Sequence, residues 1–158
     1  MARHVVATVD EIAPGQRKLV HVQGRDIGIF NVGGEFFAIA NRCPHEGASL
    51  CKGRVVGLVE SSEPGSYQLS RPGEMVRCPW HGWEFDLRTG KSWCDPLRTK
   101  VRAFDLKVEE GAALVGETLL RAETFPVSIE RQYVVIEVGR PRQSGRSQSN
   151  KVQGEQTC

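Results

Sequence analysis

Two short stretches constrain this chain more than any other feature. "CPHEGASLC", Cys43 to Cys51, and "RCPWHGWEFD", Arg77 to Asp86, each put a cysteine and a histidine within three residues of each other. A thiolate and an imidazole on one tight loop can reach the same metal centre, so each loop offers one sulfur and one nitrogen: Cys43 with His45, and Cys78 with His81. Each loop then runs into a glycine, Gly47 or Gly82, where the missing Cβ lets backbone bend around a bulky inorganic group and present N–H donors to it. The fold must therefore bring two loops, far apart in the chain, against one another.

The rest of the pattern says what kind of scaffold does this. Short β-branched and aromatic runs recur between glycine-rich turns: "HVVATV", "RKLVHVQG", "DIGIFNVGGEFFAIA", "GRVVGLVE", "VRAFDLKVEEG" and "QYVVIEVG". Alternation is clearest from Asp26 to Ala40, where Ile27 and Ile29 precede a Gly33-Gly34 turn in the pattern of a hairpin. No segment keeps a helical period, although "GETLLRAETF" has room for one turn. The expected class is all-β.

With 158 residues, 39% hydrophobic and 25% charged, the chain suffices for one domain with a real core. We expect that domain over 1–140, with 141–158 a disordered polar tail, because "RPRQSGRSQSNKVQGEQTC" has too little apolar surface to offset its ordering entropy. The formal charge is +2, and part of it lies in that tail, so nucleic-acid binding finds little support. The N-terminal stretch lacks the apolar core of a secretory signal, no apolar run is long enough to span a bilayer, and the cysteines are odd in number at five. These features lead us to expect a soluble cytoplasmic protein that touches no membrane and whose cysteines serve metal binding or simple burial.

"CPHEGASL" together with "CPWHGWEFDLRTG" resembles the two-loop signature of Rieske 2Fe-2S proteins, from about Asp10 to Val138. The resemblance implies a Rieske-type antiparallel β-sandwich with a small cluster-binding subdomain over about 41–97. It also implies that Cys43 and Cys78 ligate the inner iron of the cluster and His45 and His81 the outer iron. One departure is an interval longer than usual, with "SSEPGSYQLSRPG" inserted at about 61–73; its two Pro-Gly-type turn signals suggest a projecting surface hairpin. Others are Ala48 and Trp80, where respiratory members carry a cysteine pair that forms a disulfide. Trp83 and Phe85 stand where those members carry hydroxyl donors. Fewer donors imply a potential toward the low end of the range of about −150 to +300 mV, the end of the soluble ferredoxins that feed oxygenases.

The resemblance further implies an electron carrier with no catalytic residue of its own. It would take one electron from a flavin-dependent or other reductase, pass it to a terminal oxygenase or other oxidoreductase, and act as a monomer or in transient complexes. Two alternatives stand beside it: a small Rieske subunit or regulatory module bound permanently to a larger oxidoreductase, and a zinc-stabilised interaction domain, since two cysteines and two histidines also suit tetrahedral zinc. Cys51 and Cys94 read as small buried hydrophobes and Cys158 as a stray thiol of the tail. His4 and His21 read as solvated. Trp80, Trp83 and Trp93 read as packing that shields the metal centre, with Trp80 also a candidate for a docking face. Glu46 is either solvated or a charge that biases its neighbour His45 or a partner's approach.

Overall fold

The computed structural model describes residues 2–115 and 131–139. The expected helical turn in "GETLLRAETF" and the expected disordered tail both fall outside those residues.

β3 (Arg25–Val32) and β4 (Glu35–Ala40) form the hairpin that the alternation predicts, with Phe30 opposite Phe37 and Val32 opposite Glu35. Its two-residue turn has Gly33 at φ 60° and Gly34 at φ 96°, the left-handed pair that matches the twist of a tight hairpin. β2 (Arg17–Val22) pairs with the outer side of β3, and the two-residue β8 (Ala103–Phe104) pairs with β4, giving a four-stranded antiparallel sheet. A second sheet joins the ends of the described chain: β1 (Ala2–Thr8) and β9 (Leu106–Glu110) flank β10 (Gln132–Val138). The short helix α1 (Gly111–Val115), five residues long, follows β9 and is too brief to have left a helical period in the sequence.

The two sheets bury one apolar layer between them, Val6, Ala7, Val134, Ile136 and Val138 from one and Val20, Ile27, Ile29, Phe36 and Ala38 from the other. The strand pattern predicts an all-β fold, and this is the β-sandwich that the resemblance implies. Every second residue of β3 and β4 turns the other way, and Phe30 and Ile39 on that opposite face are also buried, in a second core. The four-stranded sheet is therefore a central layer, and its second face carries the small subdomain that holds Cys43 and Cys78.

A third sheet builds that subdomain from β5 (Arg54–Glu63), β6 (Ser66–Arg77) and β7 (Glu84–Asp86). The inserted stretch is the outer part of the β5–β6 hairpin, and every residue from 60 to 69 is exposed. Only the first of its Pro-Gly signals is a turn. At Pro72-Gly73 the strand continues through a bulge: the register slips between Val56 and Leu58, Arg71 takes φ 47° and Gly73 φ 76°, and pairing resumes at Met75. A bulge tolerates the missing N–H of Pro72 because the ladder is already interrupted there.

Candidate metal centre

The two Cys/His stretches fold into loops with the same hydrogen-bonded frame. In the first, Cys43 N donates to Ala48 O at 2.8 Å and Gly47 N donates to Cys43 O at 2.8 Å. In the second, Cys78 N donates to Trp83 O at 2.7 Å and Gly82 N donates to Cys78 O at 3.1 Å. Gly47 and Gly82 occupy equivalent places with φ of 83° and 73°, a region costly for a residue with a Cβ. Within these matching frames the histidine stands two residues after Cys43 but three after Cys78. The offset brings the imidazoles of His45 and His81 together edge to face, with ring centroids 4.8 Å apart.

Each loop is clamped from below by residues to which no sequence motif points. Asn41, which is buried, donates from Nδ2 to Ser49 Oγ at 3.0 Å and accepts the Cys51 backbone N–H at Oδ1 at 2.8 Å. Arg77 grips Glu84 Oε1 with Nε at 3.0 Å and Nη2 at 2.6 Å across the mouth of the second loop. Behind that loop Arg88 bonds both Glu35 and Glu74, and Arg71 bonds Glu74 and Asp86. An asparagine that ties the two ends of the first loop together and an arginine flanked by carboxylates carry no periodic signal, so only the folded chain exposes their role.

Burial divides the four donor side chains into two kinds. Cys43 and Cys78 are 1% and 3% exposed and belong to the apolar core with Phe30, Ile39, Leu50 and Phe85, whereas His45 and His81 face solvent. Burial raises the pKa of the Cys43 thiol; the backbone N–H groups of His45 and Glu46 pull it down, and the neighbouring Cys78 raises it further. In this apolar pocket the Cys43 thiol holds its proton until a metal takes its place, and the loop N–H groups then stabilise sulfur that carries charge. The His81 Nε2 edge faces Glu46 Oε2, 3.8 Å away. Donor chemistry and loop shape together suit a cluster with a buried sulfur side and an exposed nitrogen side.

The remaining candidates separate. Cys51 is buried as expected, with its Sγ in the space above Gly28, where a Cβ would come within 2.8 Å of it. Cys94 is exposed instead: Ser92, fully buried, takes the inward position and its Oγ accepts the Asp95 N–H at 3.1 Å, which leaves Cys94 outside. No disulfide forms among the described cysteines. Trp83 stacks on His45 at 5.1 Å, and Trp93 lines an open cavity beside His81; Trp80 and Trp93 are both more than half exposed. His21 is solvated and pairs with Asp26 at 2.7 Å, while His4 is half-buried and bonded to Gln23.

Comparison with known proteins agrees with this geometry. Residues 2–105 match the family model described as "Rieske [2Fe-2S] domain". A ferredoxin component of naphthalene 1,2-dioxygenase/salicylate 5-hydroxylase systems from Ralstonia sp is 31% identical over 103 residues, covering 65% of this chain and 84% of that protein. The 3-phenylpropionate/cinnamic acid dioxygenase ferredoxin subunit of Photorhabdus laumondii is 32% identical over 111 residues, 70% of this chain and 90% of that protein. Among solved structures, the ferredoxin of carbazole 1,9a-dioxygenase from Nocardioides aromaticivorans IC177 superposes with a TM-score of 0.53 at 23% identity, over 85% of this chain and 97% of that one. A Rieske domain carries a 2Fe-2S site, so the zinc alternative gives way. The chain belongs to the Rieske 2Fe-2S domain family and is a homologue of the ferredoxins that serve multicomponent oxygenases.

Proposed function

We propose that this protein is a one-electron carrier in which Cys43 and Cys78 hold the inner iron of a Rieske 2Fe-2S cluster and His45 and His81 the outer iron. It receives electrons from a flavin-dependent or other reductase and delivers them to a terminal oxygenase. The observation that carries this reading is the division of the donor set, with two thiols buried in an apolar core and two imidazoles in contact at the surface. Bound there, the cluster supplies a one-electron couple and nothing more. The protein's own contribution is to keep water from the sulfur side with Phe85, Leu50 and Trp83, to fix the loops through Asn41 and Arg77, and to leave the imidazole edges open to a partner. Exposed Trp80 lies in the second loop and exposed Trp93 lines a cavity beside His81, and they supply aromatic contact of the kind that short-lived redox complexes use.

The same reading takes residues 41–97 as the cluster-binding part of a domain over 1–140, supported by the second apolar core. It also puts the carrier in the cytoplasm, where thiols such as Cys51 and Cys94 stay reduced. Among the described residues no helix is long and apolar enough to cross a membrane.

The test is metal and sulfide analysis of anaerobically purified protein, with absorption and paramagnetic resonance spectra before and after dithionite. Two irons, two sulfides and a reduced-state Rieske signal are expected, together with loss of the cluster in Cys43→Ser or Cys78→Ser and its retention in Cys51→Ser and Cys94→Ser. Replacing His45 or His81 by cysteine should move the signal toward the all-cysteine type. Zinc without sulfide, or ligand variants that keep an unaltered signal, would refute the assignment.

A further inference from the structure

Glu46 comes directly after His45 in the chain, yet its carboxylate reaches the histidine of the other loop. The left-handed turn at Gly47 folds the first loop back, and Glu46 Oε2 stands 3.8 Å from His81 Nε2, beyond hydrogen-bond length but well within electrostatic contact. The nearest donor atoms of His45, Glu46 and His81 all lie within 4.8 Å of one another. Both Glu46 and His81 are about half exposed, so the carboxylate lies at the rim where the imidazoles meet solvent.

Near this rim Glu84 is bound by the Arg77 fork, and the Arg42 guanidinium lies against Gly47, its Nε 3.1 Å from where a Cβ there would be. Among the described residues no lysine or arginine pairs with Glu46. Its carboxylate therefore faces the imidazole edge with no ion pair of its own among the described residues.

Resting on the carrier reading, we propose that Glu46 sets the protein's reduction potential downward by holding a fixed negative charge against the exit imidazole. Reduction adds one electron to a centre bound by this loop pair, and a carboxylate a few ångströms from one of its ligands disfavours that added charge. The oxidised form is favoured, and the electron leaves toward an acceptor more readily than it would without Glu46. Position 46 thus tunes the carrier while leaving its ligand set intact, and the residue works through space across the two loops.

The experiment is a redox titration at neutral pH of the cluster-loaded protein and its Glu46→Gln, Glu46→Asp and Glu46→Lys variants, with iron content and resonance spectra checked for each. In Glu46→Gln the reduced-to-oxidised ratio at a fixed ambient potential should rise roughly threefold to tenfold, a tenfold change being about 59 mV for one electron. Glu46→Lys should rise further, and Glu46→Asp should stay near the parent protein. The Glu46→Gln difference should shrink in about 1 M salt, where the screening length falls to about 3 Å. Intact clusters with unchanged potentials in Glu46→Gln would overturn this role and leave the carrier standing, and equal shifts in Glu46→Gln and Glu46→Asp would overturn it by making the effect one of loop packing. A parent protein that binds no iron and sulfide would overturn both this role and the carrier reading.

Discussion

The indole of Trp83 lies nearly parallel to the imidazole of His45, with ring centroids 5.1 Å apart and planes 26° apart, although the two residues belong to different loops. The stack fixes the orientation of one proposed ligand from the opposite loop and covers it on one face. Trp83 also packs partly into the core that holds Cys43 and Cys78, so it ties the exposed nitrogen side to the buried sulfur side.

Truncation at this position should loosen the centre more than the fold. Trp83→Ala is expected to shorten the lifetime of the bound cluster in air several-fold while the circular dichroism of the β-sandwich stays unchanged, and Trp83→Phe should recover most of the loss. Bleaching of the visible absorption band measures this, and equal lifetimes in all three proteins would show that the stack protects nothing.

Two glycines beside the loops should respond very differently to alanine. A Cβ on Gly53 would stand 2.0 Å from the carbonyl oxygen of Arg77, forcing β5 away from β6 one residue before Cys78. Gly53→Ala should therefore cost about 3 kcal/mol or more, at the upper end for overpacked sites. Gly82 has open space around it and only its φ of 73° to accommodate, so Gly82→Ala should cost about 1–2 kcal/mol and keep the cluster. Urea unfolding of the two variants side by side decides the matter, and a Gly82 variant as unstable as the Gly53 variant would contradict the steric account.

Acid should weaken the support behind the second loop through Glu74. Its carboxyl is held below the ordinary value of 4.5 by hydrogen bonds from Arg88, at 2.7 Å, and from Arg71, at 2.5 Å. A carboxyl whose folded-state pKa is lowered adds stability that is complete above its unfolded value and disappears as pH falls through the folded one. The urea midpoint of the parent protein should thus fall more steeply below about pH 4.5 than that of Glu74→Gln, which has no such proton to take up. Parallel curves for the two proteins would remove Glu74 from the acid response.

The outer part of the β5–β6 hairpin should be dispensable for the centre. Residues 60–69 are all exposed, and Val59 still pairs with Leu69 below the part to be removed. Replacing Glu60–Gln68 by an Asn-Gly turn should change stability by less than about 1 kcal/mol and leave the reduced-state spectrum unaltered. Loss of the cluster on this deletion would mean that the hairpin tip shapes the loops after all.

Features that depend on neighbours along the chain are legible before any fold is known. The Cys-Pro-His and Cys-Pro-Trp-His spacings identify the two loops, alternation from Asp26 to Ala40 identifies a hairpin, and Gly33-Gly34 identifies its turn, because covalent geometry and local sterics act over a few residues. How those local units meet is settled by packing. Pro72-Gly73 reads as a turn but forms a bulge, since β6 has a partner to stay in register with. Cys94 reads as a buried hydrophobe but is exposed, because Ser92 takes the inner position with a hydroxyl that is satisfied there. Glu46 stands next to His45 in sequence, but its contact with His81 exists only because two matching loop frames, offset by one residue in where they place histidine, are pressed together on one face of the central sheet. Charge and ring contacts across loops depend on distances that packing sets, and no spacing along the chain encodes them.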